Sequence, residues 1–155
     1  MSAQITSYAV KLSSLAVSEK EHQEVTHMLQ VLSDIERISD YCENISEFAE
    51  SLIGGKAQFT DDGKEELTEM IEVCTNSYFY ALEAYETRSR EKALLVIEEE
   101  TKADALEISM RASHIKRLTK NQCTTEAGIV YLDALVCLER ISDHARNIAE
   151  EVLGN

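Results

Sequence analysis

The sequence has no proline and only five glycines in 155 residues. Turns draw on both residue types, so their scarcity excludes a β-rich chain and predicts long helices with few connections. No stretch of ~18 apolar residues is present, so nothing here is long and apolar enough to cross a bilayer as a helix. The first residues show no charged segment followed by an apolar run, the pattern of a secretory signal. Basic residues are also few: 15 Lys and Arg stand against 29 Asp and Glu, a formal charge of −14. Phosphate backbones need cationic neutralisation, so nucleic-acid binding is excluded. Anionic lipid headgroups repel such a surface, so no direct lipid binding is expected and only a covalent tether would hold the chain at a membrane.

Catalytic signatures are missing as well. There is no glycine-rich phosphate loop, no G-x-S-x-G and no H-E-x-x-H. Glu19-x-x-His22 and Glu24-x-x-His27 have the spacing of a di-iron ligand pair. Both lie near the start of one helix, whereas such a centre draws on two. Cys42, Cys74, Cys123 and Cys137 form no C-x-x-C pair, and three of them sit in apolar helical patterns. They read as buried free thiols of a reducing compartment.

What is present is helical periodicity. Hydrophobic residues make up 44%, enough for one domain with a real core. A short first helix covers about Ser2 to Ala16. Ser18, with Glu21 three residues on, has the form of a capping box. The second helix then runs to Ile53 on a stripe of Met28, Leu32, Ile35, Ile38, Cys42, Ile45, Ala49 and Leu52, and Gly54-Gly55 ends it. A third helix begins at Thr60 or Asp61 and carries Leu67, Ile71, Cys74, Tyr78 and Leu82. After a break at Thr87–Ser89, a fourth shows Leu94, Ile97, Ala105, Ile108, Ala112 and Ile115. The turn from Asn121 to Thr125 leads into a last helix ending at Leu153, with Ile129, Leu132, Leu135, Leu138, Ile141, Ala145, Ile148 and Val152. Short connections between long amphipathic helices predict an all-α, antiparallel bundle. Asp133 interrupts an apolar run and must face water or a polar partner.

The chain also matches itself. Glu36-Arg37-Ile38-Ser39-Asp40 recurs as Glu139-Arg140-Ile141-Ser142-Asp143, an offset of 103, and Asn44, Ile45 and Glu47 recur as Asn147, Ile148 and Glu150. Apolar periodicity alone does not force such a match, so the chain holds two copies of a helical unit. Residues 1–55 form a partial first repeat and residues 56–155 a complete second one, packed together as one domain. A unit lacking helices leaves an apolar face bare, to be covered by further polypeptide or another subunit.

The segment Asp34-Ile-Glu-Arg-Ile-Ser-Asp40 and the segment Leu138-Glu-Arg-Ile-Ser-Asp-His-Ala-Arg-Asn-Ile-Ala-Glu150 resemble the signature of PhoU domains. That family is built from three-helix units, each with an E-R-I-G-D-type motif on its third helix. Here Ser39 and Ser142 stand where the family usually has glycine. The segments Ile5-Thr-Ser-Tyr8, Lys11-Leu12 and His114-Ile-Lys-Arg-Leu118, with Cys123, resemble the PhoU-like cytosolic tail of sodium/phosphate cotransporter proteins. The resemblance implies a non-catalytic regulatory domain of phosphate transport at the cytoplasmic face of the cell membrane. Its partner would be a membrane transport domain of the same polypeptide, or a second copy in a homodimer. The alternative is a free-standing soluble PhoU-type regulator of phosphate uptake or its signalling.

Some members of the family hold metal clusters on E(D)-x-x-x-D motifs. Residues four apart share a helix face, which pairs Glu36 with Asp40, Glu139 with Asp143 and Glu100 with Asp104. The resemblance therefore implies divalent or iron-type metal ions held by these carboxylates, since oxygen-only donors suit hard cations. Arg37 and Arg140 compete, because each can neutralise neighbouring carboxylates without a metal. His144 and Asn147, within a turn of Asp143, are either ligands or polar braces. Arg111, His114, Lys116, Arg117 and Lys120 cluster near the end of the fourth helix, where they complement the helix dipole or face an acidic partner.

Overall fold

The computed structural model describes residues 2–14, 18–53 and 58–154. Among these described residues there are five helices: α1 (Ser2–Ser13), α2 (Glu19–Ile53), α3 (Asp61–Thr87), α4 (Arg90–Thr119) and α5 (Thr125–Leu153). No strand occurs among the described residues. The Gly54-Gly55 stop and the end of the first helix at Ala16 lie outside them. Side-chain hydroxyls start the helices, each accepting from an otherwise unpaired amide of the first turn. Thr60 accepts from Gly63 N at 3.1 Å, Ser89 from Lys92 N at 3.3 Å and Thr124 from Ala127 N at 3.2 Å. Ser18 and Glu21 exchange bonds in both directions, Glu21 N to Ser18 Oγ at 3.2 Å and Ser18 N to Glu21 Oε2 at 2.9 Å. At Arg88 the chain turns left-handed, with φ 56°, and its amide caps Ala84 O.

Helix α5 is the axle of the bundle. It packs on α2, α3 and α4, while among the described residues α1 packs on α2. Side-chain pairs fix the directions. Cys74 meets Leu138 O and Ser77 meets Ser142, so α3 runs parallel to α5. On α2 the order reverses: Asp34 meets Asn147 and Tyr41 stacks on His144, so this pair is antiparallel. Close approach is achieved with small residues. Ala81, Ala84, Ala93, Ala103, Ala145 and Ala149 are completely buried, as is Ser77.

The apolar stripe expected for α4 points outward. Leu94, Ile108 and Ile115 are more than half exposed, while Ala93, Val96, Glu100, Ala103, Met110, His114 and Arg117 face the core. The helix is two-faced, and its tight contact with α3 and α5 selects the face with small residues over the one with larger apolar ones. Cys74 and Cys137 are buried, Cys123 is half-buried and Cys42 is exposed. Burial and the nearby Glu139 charge push the Cys74 thiol up to about 12. Asp133 faces solvent.

The predicted basic cluster is divided. Lys116 and Lys120 stay exposed, but His114 and Arg117 turn inward. Arg117 grips Glu66 of α3 with two bonds of 2.9 and 2.6 Å, and the Tyr131 hydroxyl of α5 donates to the same carboxylate. Burial drives the Glu66 carboxyl up, but these donors outweigh it and hold it below its usual range. His114 stacks on Tyr131, with ring centres 4.5 Å apart, and its buried Nε2 has no hydrogen-bond partner. Burial, then the Arg117 charge, lower its pKa. Gly128 is the clearance for that ring, because a Cβ there would sit 2.9 Å from His114 Nε2 and 3.2 Å from Leu118 Cδ2.

Two outcomes follow from this junction. In a helix Gly→Ala ordinarily stabilises by up to about 1 kcal/mol. Here the stacked ring cannot retreat, so Gly128→Ala should instead destabilise the protein by roughly 1–3 kcal/mol in urea unfolding. A histidine whose folded pKa is depressed stabilises the fold above its unfolded value of about 6.5 and loses that contribution as pH falls below it. His114→Phe should therefore flatten the decline of stability between about pH 6.5 and 5, and an unchanged slope would place the proton uptake elsewhere.

Candidate metal centre

The carboxylates read from the two motifs of the second repeat meet where α4 faces α5. Glu100, Asp104 and Glu107 come from one helix, Glu139 and Asp143 from the other. One oxygen each from Glu100, Asp104 and Asp143 lies within 4.8 Å of the other two. Spacing of four places Glu100 and Asp104 on one edge of α4, and the α4–α5 contact brings Asp143 to it. Glu100 is 5% exposed, an unusual position for an acid. Its partner is Arg146, whose Nη1 is 2.7 Å from Glu100 Oε1 while its Nε bonds Glu150 at 2.8 Å. Arg140 binds Asp143 at 3.0 Å and approaches Glu139 at 3.4 Å. Arg111 pairs with Glu107.

Five carboxylates thus share three guanidinium groups, which leaves a surplus of negative charge. Burial, then the charges of Glu100 and Asp143, raise the Asp104 carboxyl despite Arg146. Burial and Asp143 raise Glu139, against the opposing pull of Arg140. The donor set consists of hard oxygens from two facing helices, with excess negative charge. It fits a hard divalent or iron-type cation.

The other residues of the sequence reading lie elsewhere. Glu36 and Asp40 are exposed on α2, with Arg37 4.0 Å from Asp40, and join no group of three potential ligands among the described residues. His144 Nδ1 lies 2.7 Å from Asp34 Oδ1, and Asn147 donates to that same oxygen at 3.1 Å. Both serve as braces between α5 and α2. Arg146 and Glu107 were not singled out from the sequence. Arg146 stands three residues after Asp143 on the same helix, and that spacing was the one available signal.

A sequence model of the PhoU domain matches residues 1–49 and 67–152. The phosphate-specific transport system accessory protein PhoU homologue 1 of Thermotoga maritima is 27% identical over 134 residues, covering 86% of this chain. The chain spans 57% of that relative's length. The crystal structure of PhoU from Pseudomonas aeruginosa superposes with a TM-score of 0.91 at 22% identity, over 98% of this chain and 72% of the other. The phosphate transport system regulatory protein PhoU from Streptococcus pneumoniae gives 0.84 at 22% identity, over 98% and 70%. The two structures share the helical-bundle fold.

The acidic surplus has a cost that can be measured. An acid whose folded pKa is raised destabilises the fold as pH rises through its titration. Asp104→Asn should therefore stabilise the metal-free protein at pH 7, by about 0.5 kcal/mol or less given its exposure. Arg146→Leu should do the opposite and cost about 3 kcal/mol, because it leaves the Glu100 charge buried without its partner. Thermal melting of both variants is the check, and Glu100→Gln added to Arg146→Leu should recover part of the loss.

Proposed function

The chain belongs to the PhoU domain family, and from that premise we propose that it is a non-catalytic regulator of phosphate transport. The observation that carries this reading is the family match across both repeats, together with the acidic motifs converging on one centre. It acts by docking, with its helical faces binding a transport system or its signalling partner and biasing uptake. A free-standing PhoU-type accessory protein is the form the relatives support best, since two of those named above are an accessory and a regulatory protein of phosphate transport systems. The second reading is the tail of a sodium/phosphate cotransporter, tethered by a membrane domain. It is favoured by the resemblance at Ile5–Tyr8 and His114–Leu118 and by the largely uncovered face of α2.

Glu100, Asp104 and Asp143, with Glu139 beside them, hold a divalent or iron-type cation in this proposal. A cation held by these carboxylates, which α4 and α5 contribute together, would supply charge neutralisation and relieve their mutual repulsion. The residues themselves orient the site, Arg146 by fixing Glu100 and Arg140 by bridging Glu139 to Asp143.

Two experiments test these readings. Deleting the chain's coding segment in source cells should alter phosphate uptake or its response to external phosphate, with membrane proteins still inserted normally. Uptake and response both unchanged would rule out the regulatory role. Size on an immunoblot of fractionated cells separates the two forms: a band near 17.4 kDa in the soluble fraction supports the accessory protein, and a larger membrane band supports the tail. For the metal, Mn²⁺ titration followed by paramagnetic resonance should show binding that Asp143→Asn weakens at least about tenfold, roughly the effect of losing one of a few ligands. Affinity should fall as pH falls, and begin to do so above the ordinary carboxylate range, because Asp104 and Glu139 hold their protons more tightly.

A further inference from the structure

Seven arginines are spread along the chain. Six of them face an oxygen acceptor: Arg37 lies by Asp40, Arg90 donates to Leu153 O, and Arg111, Arg117, Arg140 and Arg146 pair with Glu107, Glu66, Asp143 and Glu100. Arg88 meets none among the described residues, in a protein of formal charge −14. Its backbone also disfavours a side chain. The residue capping α3 is left-handed, with φ 56° and ψ 32°, a conformation that glycine enters without strain. An arginine kept there, and left without an acceptor, points to a use for its side chain. The guanidinium lies over the Tyr85 ring, 4.6 Å from its centroid. That contact holds the group in place and leaves the donors at its edge available.

Arg88 stands on one wall of a cleft of about 350 Å³, at the corner where α3 turns into α4. The other wall is the start of α2, which contributes Lys20, Gln23, Glu24 and His27. Steps of three and four place these on one face of the helix. His27 is half-buried and pairs with Glu151 of α5 at 2.7 Å, which fixes that end of the row. Lys20 is 85% exposed and its Nζ is 3.9 Å from Glu24, a loose surface pair that leaves the ammonium free to turn to another anion. Nitrogen donors thus line the cleft from both walls, and Glu24 is the one carboxylate among its described lining residues. Lys20 and His27 are two helical turns apart, about 10 Å along the axis. A single phosphate group is too short to engage both ends of that row, whereas a chain of linked phosphates spans it.

We propose that this cleft binds an oligophosphate, two or more phosphates linked as anhydrides, either inorganic or carried on a nucleoside. Arg88 takes one phosphate with its planar fork. Gln23 donates its side-chain amide, and Lys20 leaves Glu24 to neutralise the rest of the chain. Glu24 opposes the ligand and so limits its affinity. The overall negative charge does not bar entry, because exposed charges farther away than about 8 Å are largely screened at physiological salt. The site is separate from the acidic centre: Glu100 lies ten residues along α4 from Arg90, about 15 Å. The inference rests on the unmatched Arg88 and the cleft it lines, and stands whether or not the protein regulates phosphate transport.

The probe is inorganic triphosphate, titrated calorimetrically into the full chain in metal-free buffer so that no cation at the acidic centre bridges the anion. It should bind saturably, one per chain, and at least about tenfold more tightly than orthophosphate. Arg88→Gly removes the guanidinium and gives the left-handed position the residue it favours. It should weaken triphosphate binding about tenfold or more, while the thermal midpoint stays level or rises, so the loss cannot be put down to misfolding. Glu24→Gln should tighten binding. A nucleoside triphosphate run alongside separates the two sources: tighter binding assigns the site to the nucleotide, equal or weaker binding to the inorganic chain, and either supports the proposal. No binding up to about 1 mM triphosphate overturns it. So does triphosphate binding that orthophosphate or a hexaglutamate peptide matches, or that Arg88→Gly leaves unchanged.

Discussion

Three helices have to reach α5 at once, and a helix offers only about 3.6 residues per turn with which to receive them. The problem is met by keeping the contacts small. Gly128, Ala134, Ser142, Ala145 and Ala149 on α5 are buried, as are Ala81 and Ala84 on α3 and Ala93 and Ala103 on α4. Close backbone approach has a corollary for polar groups. Glu66, Glu100, His114 and Arg117 lie where helices converge, so each is partnered or neutralised within the bundle or, like His114, kept uncharged. The acidic centre between α4 and α5 is thus a product of the same packing that makes the core.

The fold was legible in the sequence where the signals are local. The Ser18–Glu21 box, the helix start at Thr60 or Asp61, the breaks at Thr87–Ser89 and Asn121–Thr125 and the spacing of apolar residues each act within a turn or two of chain. The repeat was legible because identity at a fixed offset needs no knowledge of contacts. The facing of α4 was not. Both its faces carry apolar residues, and the choice depends on how closely two other helices approach. The burial of His114 and Arg117 escaped for a related reason. A basic cluster at a helix end satisfies the dipole in solution, and only the position of Glu66 on another helix shows that Arg117 turns inward.

The candidate centre was half legible. Glu100, Asp104 and Asp143 follow from spacing and motif, and the packing brings them together. Their roles relative to their neighbours do not follow. His144 and Asn147 belong to the same motif, yet they lie around the helix toward α2 and hold Asp34. The motif therefore serves two interfaces: its acids face α4, and its His and Asn face α2. Arg146 belongs to the acidic side and Arg140 lies at its rim, so guanidinium groups set how much negative charge remains there.

Tyr41 and His144 occupy the same position of the two repeats, 103 residues apart, so their stack lies on a local two-fold axis. In a dimer of identical chains, a residue on the symmetry axis must pack against a copy of itself, and any change is made twice at one point. Gene duplication and fusion into one chain lift that restriction, since the two axial positions become separate codons. Tyrosine in one half and histidine in the other is a combination that identical subunits cannot encode. Off the axis, Asp34 holds Asn147 while the corresponding positions are Cys137 and Asn44, so a carboxylate stands in one half where the other has a thiol.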